Sequence, residues 1–278
     1  MAEGRGPPPP GRVLAITSLA NPLVKEIRAL ALPKNRKASG LFVAEGLKLV
    51  ADAVDAGWTM RTLVHAARVA DEGLVGRLAA TAHARGGQVA TVCDAVLAQI
   101  ARRDKPQTVI GVFEQRLAAA GRIRPRAEAV WVALESIRDP GNLGTIIRTV
   151  DAVGGDGVIL VGDTVDPFAV EAVRATMGSI FHVPVARASR PDFAELCASW
   201  PGLVVGTLLA ASEDYRAVSY GPPVLLVMGN EQSGLTPELA SRCGKLVKIP
   251  MAGKADSLNL AVATGVMLFE ILRGRLQL

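Results

Sequence analysis

The sequence predicts an α/β fold: a mostly parallel sheet with helices on both faces, preceded by a small α/β domain. From Val130 onward, nearly continuous apolar runs of strand length alternate with helix-length segments. Strands buried on both faces have this continuous apolar character, and strand–helix alternation is typical of parallel sheets. Half of the residues are hydrophobic but only 4% are aromatic, which favours helices packed on a sheet over an all-β sandwich.

The N-terminal half predicts a tail, a small domain and a linker. Residues 1–13, with the run PPPP, predict a disordered tail that lacks the apolar core of a signal peptide. Residues 14–116 predict a small α/β domain, with strands at RTLVHA, QVATVC and TVIGVFEQ and helices at NPLVKEIRAL, EGLVGRLAATAHARG and DAVLAQIARR. The stretch PKNRKASG predicts a basic loop, and residues 117–129 predict a basic linker.

Residues 130–278 predict the parallel-sheet domain. Its predicted strands are VWVALE, GVILVG, LVVGTLL, VLLVMG and KLVKIP. Its predicted helices lie at residues 143–154, 168–178, 191–199, 236–243 and 258–273. Because ligands bind at the carboxyl ends of strands in such sheets, the loops after the strands are the first candidates for a functional site.

Positive charge is concentrated in the N-terminal half. Residues 1–127 contain 19 Lys and Arg against 10 Asp and Glu, whereas residues 128–278 contain 12 against 16. This asymmetry favours a polyanion, nucleic acid above all, as the partner of that half, although an ordinary basic surface explains it equally well. Three cysteines far apart in the chain suit the reducing cytoplasm. Three histidines without ligand spacing argue against a metal enzyme, and no apolar run reaches the about 18 residues of a membrane span.

The loop SIRDPGN leads into a predicted helix that carries Arg148. Pro140 and Gly141 predict a turn, and Asn142 is a candidate cap for the helix. Arg148 lies on the flank opposite the apolar face of this helix. Asp151 is a candidate ion-pair partner, but a solvated ion pair contributes little and does not explain the arginine.

Two further loops follow predicted strands. In GNEQSGLTPEL, Gly229 would let a ligand approach the backbone closely, although a plain strand-to-helix turn also explains it. In MAGKADSLNL, helix capping explains Ser257 completely and leaves Asn259, a poor helix former, without a reason. No GxGxxG follows a strand and no GxxxxGK[ST] occurs, so a nicotinamide dehydrogenase and a P-loop enzyme are poorly supported.

Taken together and in this order, the three loops resemble the SpoU (TrmH-type) family of RNA ribose 2′-O-methyltransferases, within the SPOUT superfamily. DPGNLGTIIRTVDAVGGDGVIL, LLVMGNEQSGL and VKIPMAGKADSLNLAVATGVMLFE resemble its first, second and third motifs. Residues 14–116 resemble the family's N-terminal substrate-binding domain through NPLVKEIRAL, GLFVAEGLKLV and KPQTVIGVFE. The resemblance implies a deep trefoil knot in the second domain, S-adenosylmethionine (SAM) as cofactor, and a homodimer with the active site near the subunit interface.

The resemblance also implies roles for particular residues. Arg148 would activate the ribose hydroxyl, with Asn142, Glu231 and Asn259 as organisers. Glu231 would pair with Arg148 or the Asn259 amide, or simply hold its loop. The implied SAM-binding residues are Leu208, Gly229, Ile249, Met251, Ser257 and Leu258.

Two roles remain open for Arg148. It is either a base whose proton is lost in a dry pocket, or a cation that clamps a phosphate and stabilises the emerging alkoxide. We favour the cation, because arginine keeps its proton well above neutral pH.

The segment VRATMGSIFHVPV also resembles a family segment, which makes Arg174 a candidate contact to RNA. A covering helix followed by a strand explains this segment at least as well. The basic loop supplies the other predicted RNA contacts: Lys34, Arg36 and Lys37.

The predicted function is SAM-dependent methylation of a ribose 2′-hydroxyl in structured RNA, with rRNA favoured over tRNA, in the cytoplasm and without a metal or a membrane. The alternative is a catalytically silent RNA-binding or ribosome-assembly factor.

Overall fold

A computed structural model describes residues 11–276 of the chain. The chain divides into two compact units. The first holds the chain up to Gln115 together with Phe168–Arg174, and the second holds Arg116–Pro167 and the chain from Ala175 onward. Most of the tail predicted at residues 1–13 lies outside the described residues, and its last residue, Val13, begins a strand.

The first unit is a five-stranded mixed sheet covered by helices. The strands are β1 (Val13–Ile16), β2 (Leu41–Glu45), β3 (Met60–Ala66), β4 (Gln88–Val92) and β5 (Val109–Glu114). The helices are α1 (Pro22–Ala29), α2 (Pro33–Ser39), α3 (Leu47–Asp55), α4 (Gly73–Ala84) and α5 (Asp94–Ala101). The strand order is β1-β4-β3-β5-β2, with β5 antiparallel to both of its neighbours. This confirms the small α/β domain.

The stretch PKNRKASG, predicted as a loop, is helix α2. Pro33 occupies its first turn, where the missing N–H is not needed. Gly40 ends it in the left-handed conformation, with φ 67°. Pro, Asn, Ser and Gly make the stretch look like a loop by composition, but here Pro and Gly mark the two ends of a short helix.

The segment Phe168–Arg174 packs within the first unit. The ring of Phe168 lies 4.6 Å from the ring of Phe42 and 6.4 Å from that of Trp58, between centroids. Arg174 donates from its Nε, at 3.1 Å, and from a terminal nitrogen, at 2.5 Å, to one carboxylate oxygen of Glu45, a residue whose side chain is 4% exposed. Aromatic packing and an ion pair therefore fasten this segment to a strand more than 100 residues earlier in the chain.

The second unit is an eight-stranded parallel sheet. The strands are β6 (Ala118–Ala119), β7 (Val130–Glu135), β8 (Gly157–Val161), β9 (Val185–Ala188), β10 (Leu203–Thr207), β11 (Glu213–Asp214), β12 (Val224–Met228) and β13 (Lys245–Lys248). The helices are α6 (Pro140–Ala152), α7 (Val170–Ala175), most of which belongs to the first unit, α8 (Arg190–Ala198), α9 (Pro237–Ala240) and α10 (Leu260–Ile271). The strand order is β11-β13-β10-β12-β7-β8-β9-β6, and every neighbouring pair is parallel.

Two cores cover the two faces of this sheet. One contains Val132 and Leu134 of β7 with residues of α6 and α10. The other contains Trp131 and Ala133 of the same strand with residues of α8 and α9. Alternate residues of β7 thus face opposite cores, which confirms the prediction of strands buried on both faces.

Two parts of the second unit differ from the predicted elements. Strand β9 was not among the five predicted strands, because Arg187 interrupts its apolar run, although the strand considered for VRATMGSIFHVPV ends at Val185, where β9 begins. The predicted linker, residues 117–129, includes β6, which pairs with β9 at the edge of the sheet. Arg126 in the same stretch forms an ion pair with Asp156. Between residues 11 and 276, no helix is both long enough and apolar enough to span a membrane.

Candidate active site

Three loops of the second unit meet at the carboxyl edge of its sheet. They follow β7, β12 and β13, at residues 136–139, 229–236 and 249–259. Strands β7 and β12 are direct neighbours, and β10 alone separates β12 from β13. Because all four strands are parallel, their carboxyl ends share one edge.

The first loop ends where Asp139 caps helix α6. The Asp139 carboxylate accepts a hydrogen bond of 2.6 Å from the backbone N–H of Asn142. Pro140 occupies the first helical turn. The predicted cap, Asn142, was therefore wrong, and its side chain is available for contacts beyond its own helix.

The third loop ends where Asn259 caps helix α10. Its side-chain oxygen accepts from the backbone N–H groups of Ala261 and Val262 at 2.9 and 3.3 Å. Its side-chain nitrogen donates to the side-chain oxygen of Asn142 at 2.9 Å. Ser257, the predicted cap, instead donates to Asp256 at 3.1 Å. Asn259 thus caps one helix and joins it to the start of another.

Glu231, in the second loop, binds the start of α6. Its carboxylate accepts from the backbone N–H groups of Arg138 and Asp139 at 3.2–3.3 Å, and from the Asn142 side-chain amide at 3.4 Å. The expected pairing with Arg148 or with the Asn259 amide is not what the structure shows. Glu231, Asn142 and Asn259 form one hydrogen-bonded chain that links the three loops.

Two cavities adjoin this chain of side chains. A polar pocket of about 460 Å³ is lined by Arg138, Asp139, Asn142, Asn230, Glu231, Gln232 and Asn259. A second cavity of about 390 Å³ lies among residues of the second and third loops, the end of β10 and the residues that follow it. It contains all six of the residues expected to bind SAM: Leu208, Gly229, Ile249, Met251, Ser257 and Leu258. Asn230, Glu231 and Gln232 line both cavities, so the second loop forms their common wall.

Gly229 is required by the folding of its own loop. A Cβ atom at this position would lie 2.1 Å from the Gly234 carbonyl carbon and 2.1 Å from the Leu235 nitrogen. Asn230 and Gly234 exchange two backbone hydrogen bonds of 3.0 and 2.9 Å, which close the loop tightly. The structural reason for the glycine is thus the close approach of Gly234 and Leu235, which agrees with the strand-to-helix turn that the sequence also suggested; close approach of a ligand stays a prediction.

The second loop is fastened at both ends to the end of β7. The Asn230 side-chain amide donates to the carbonyl of Ser136 at 2.8 Å. The backbone N–H and the hydroxyl of Thr236 each donate to the Glu135 carboxylate at 2.9 Å. Glu135 is only 1% exposed, and the Nε of Arg190 lies 3.4 Å from it. The sequence contained one signal for this role that we did not use: an acidic residue ends the otherwise apolar strand VWVALE.

Arg148 is exposed on α6 and lines neither cavity. It lies six residues after Asn142, about 9 Å further along the helix axis. Within residues 11–276 it forms no hydrogen bond or ion pair, so the expected pair with Asp151 is not formed. A separation of six residues also places Arg148 about 120° around the helix axis from Asn142.

The predicted RNA contacts separate into two groups. Lys34 and Lys37 are exposed on α2. Arg36 is 2% exposed and donates to the carbonyls of Leu30 and Ala31 at 2.8 and 3.0 Å, so it joins α2 to the end of α1 and does not face solvent. Arg174 is held by Glu45, as described above. Burial corrects the sequence-based expectation for Arg36. The Arg174 side chain pairs with Glu45 but is 25% exposed, so its contact to RNA stays a prediction.

The fold and the three joined loops define the class of the protein. The model of the SpoU rRNA methylase family matches residues 129–269, and that of an MRM3-like substrate-binding domain matches residues 21–111. The chain belongs to the SpoU rRNA methylase family. Among residues 11–276, no cluster of three or more His, Cys, Asp or Glu is placed to hold a metal ion.

Similar proteins match along nearly the whole chain. A 23S rRNA (uridine(2479)-2′-O)-methyltransferase from Streptomyces viridochromogenes is 32% identical, over 99% of this chain and 97% of its own. The 23S rRNA (guanosine(2553)-2′-O)-methyltransferase RlmP from Bacillus subtilis is 30% identical, over 92% and 98%. The crystal structure of an AdoMet-bound rRNA methyltransferase from Sinorhizobium meliloti is 53% identical over 96% of this chain and all of its own, with a TM-score of 0.92.

Proposed function

We propose that the protein is a SAM-dependent methyltransferase that modifies a ribose 2′-hydroxyl of ribosomal RNA. The observation that carries this proposal is the shared wall of the two cavities, Asn230 to Gln232. One cavity suits a methyl donor and the other, rich in amide and carboxylate groups, suits a ribose. The relatives that methylate 23S rRNA at 2′-oxygens support the same reaction.

The residues of the 390 Å³ cavity suit SAM. Ligand sites are mostly apolar with a few convergent polar groups. Leu208, Ile249, Met251 and Leu258 supply apolar surface for an adenine. The backbone of the second and third loops and the side chain of Ser257 supply polar contacts. When bound, SAM supplies a methyl group on a positively charged sulfur.

The protein's own part in this reaction is alignment and charge stabilisation. Asn142 and Asn259 hold each other at 2.9 Å and face the polar pocket, where their amides can bind ribose hydroxyls. Glu231 holds the start of α6 in place. Arg148, exposed on the same helix, remains cationic in our proposal, binds the neighbouring phosphate and stabilises the ribose oxygen as this oxygen bonds to the methyl carbon and its proton passes to water.

We also propose that the enzyme is a homodimer with its active site near the interface, and that it is cytoplasmic. Helix α10 supports the dimer, because it leaves Val262 and Phe269 52% and 54% exposed. Exposed apolar side chains that recur along one helix face are typical of an interface. The cytoplasmic location rests on the RNA substrate and on the free thiols of Cys93, Cys197 and Cys243.

One observation favours the alternative, a catalytically silent RNA-binding factor: Arg148 lines neither cavity. Transfer of tritiated methyl from SAM to rRNA separates the two functions. We expect transfer by the wild-type protein, loss of transfer in Arg148→Ala with SAM binding retained in calorimetry, and partial rescue in Arg148→Lys. No transfer by the wild-type protein would support the silent factor. A wild-type rate in Arg148→Ala would remove Arg148 from the reaction.

A further inference from the structure

The sheet of the first unit has a different helical layer on each face. Helices α3 and α4 pack against each other, and so do α1 and α5. The connections β2–α3–β3 and β3–α4–β4 run across the sheet in one direction, whereas the connection from β1 through α1 and α2 to β2 runs in the other. Crossovers between parallel strands are right-handed, so α1, α2 and α5 cover one face and α3 and α4 cover the opposite face.

The two layers carry different charge. Helices α1, α2 and α5, with residues 102–105 that follow α5, contain eight Lys or Arg and three Asp or Glu. Helices α3 and α4 with their caps contain three of each. The excess of positive charge among the helices of the first unit therefore lies on one face of its sheet, which we call the basic layer.

Three chain segments converge in the basic layer at the end of α1. The Asn35 side chain donates to the Ala29 carbonyl at 2.8 Å, and Arg36 donates to the next two carbonyls. From the end of α5, Arg102 donates to the Arg28 carbonyl at 3.3 Å. The buried Arg36 thereby acquires a role: it fixes α2 so that Lys34 and Lys37 point outward beside the end of α5.

Four exposed cations of this layer have no carboxylate partner among residues 11–276. Lys34, Lys37, Arg103 and Lys105 are all exposed. None of the four forms an ion pair with any residue between 11 and 276. Elsewhere in the same unit, exposed Arg61 pairs with Glu114 and Arg68 pairs with Asp94, whereas Arg77 and Arg85 of the opposite layer are exposed without an ion pair to any residue between 11 and 276. Unpaired cations from two distant segments, held together by a shared helix end, are suited to a row of phosphates.

We propose that the basic layer is the face on which the first unit binds the phosphate backbone of its folded RNA substrate, and that the α3–α4 layer takes no part. The inference rests on the proposed function. It adds residues 103–105, far in sequence from α2, to the RNA-binding surface. Arg36 does not contact RNA in this proposal but holds α2 against the end of α1. Contacts to phosphate carry no base information, so this layer supplies affinity and orientation, and the choice of nucleotide is made elsewhere.

The test compares three double variants that each remove two exposed cations: Lys34→Ala/Lys37→Ala, Arg103→Ala/Lys105→Ala, and the control Arg77→Ala/Arg85→Ala on the opposite layer. Binding to an rRNA transcript is measured at a series of salt concentrations. Each lost phosphate contact reduces the salt slope by about 0.7–0.9. Both basic-layer variants should therefore lose about 1.4–1.8 in slope and at least about tenfold in affinity at moderate salt. The control should match the wild-type protein.

Equal weakening in all three variants would overturn the proposal, because only net charge would then matter. So would unchanged RNA binding in either basic-layer variant, or no RNA binding by the wild-type protein. Calorimetric titration with SAM on each variant checks that the second unit is intact. Failure of the proposed function gives a different result. A wild-type protein that binds rRNA but transfers no methyl group to it would refute the proposed function, whereas the difference in RNA affinity between the basic-layer variants and the control would still decide the present proposal.

Discussion

Glu135 is predicted to hold the loop that forms the common wall of the two cavities. It is the last residue of β7, its side chain is almost fully buried, and both donors of Thr236 bind it at 2.9 Å. Replacing Glu135 with Ala removes the acceptor for two partly buried donors. We expect the loop from Gly229 to Thr236 to loosen, with loss of both stability and SAM affinity.

The magnitude follows from the contacts of Glu135. A hydrogen bond to a charged group contributes about 1.5–3 kcal/mol, so Glu135→Ala should lower the free energy of unfolding by about 3–5 kcal/mol. Glu135→Gln keeps one oxygen as an acceptor for the Thr236 N–H. The Thr236 hydroxyl both donates and accepts, so it can turn to accept from the new amide. The Gln variant should therefore lose only about 1–2 kcal/mol.

Urea unfolding followed by circular dichroism measures the stability, and calorimetric titration measures the affinity for SAM. Glu128→Ala is the control, because Glu128 is a 61% exposed glutamate in an ion pair with Arg275; its loss should change stability by less than about 1 kcal/mol. If Glu135→Ala were no more destabilising than Glu128→Ala, the role of the carboxylate would be refuted. Wild-type SAM affinity in a destabilised Glu135→Ala would equally refute its role in holding the loop.

Three further predictions concern the same unit. Gly229→Ala should lower SAM affinity by about tenfold, or about 1.4 kcal/mol, because its Cβ clashes with the loop backbone; calorimetry checks this against Gly253→Ala, whose Cβ meets nothing within 4 Å. Asn259→Asp keeps the helix cap but loses the donor to Asn142, so methyl transfer should fall while the melting temperature holds; an active variant contradicts this. Burial raises the pKa of Cys197 from 9.0 to about 11 and that of Cys243 to about 12. The folded state thus retains both protons more tightly than the unfolded state. Stability present below pH 9.0 should fall as pH rises toward 12, and replacing both thiols with Ala should remove that slope.

The parallel sheet was predictable because burial on both faces leaves a local mark in the sequence. Each of the five predicted strands of the second unit is present, since a run such as VLLVM has no polar face to offer solvent. The position of the candidate site followed from the same pattern, because parallel strands bring their carboxyl ends together. Strand β1 and helix α2 escaped prediction, since a four-residue strand and a helix of Pro, Asn, Ser and Lys resemble loops in composition.

In both site helices, the residue that caps the helix lies two or three positions from the predicted cap. This difference has a physical reason. Asp139 and Asn142 both lie near the start of α6, and Ser257 and Asn259 both lie near the start of α10. All three residue types, Asp, Asn and Ser, cap helices well, so local sequence does not distinguish the four residues. The choice depends on where packing against the sheet begins each helix, and that is a property of the folded chain.

The amino-acid sequence by itself determined the order of strands, loops and helices, and it placed amides, a carboxylate and an arginine in the loops where a cofactor and a ribose would bind. Those features depend on local pattern and residue chemistry. Only the tertiary structure decided that Asn142 binds Asn259, 117 residues away, and that Arg36 is buried. Contacts between distant residues depend on strand order, crossover direction and the rotation of each helix, which many weak interactions across the whole chain set together.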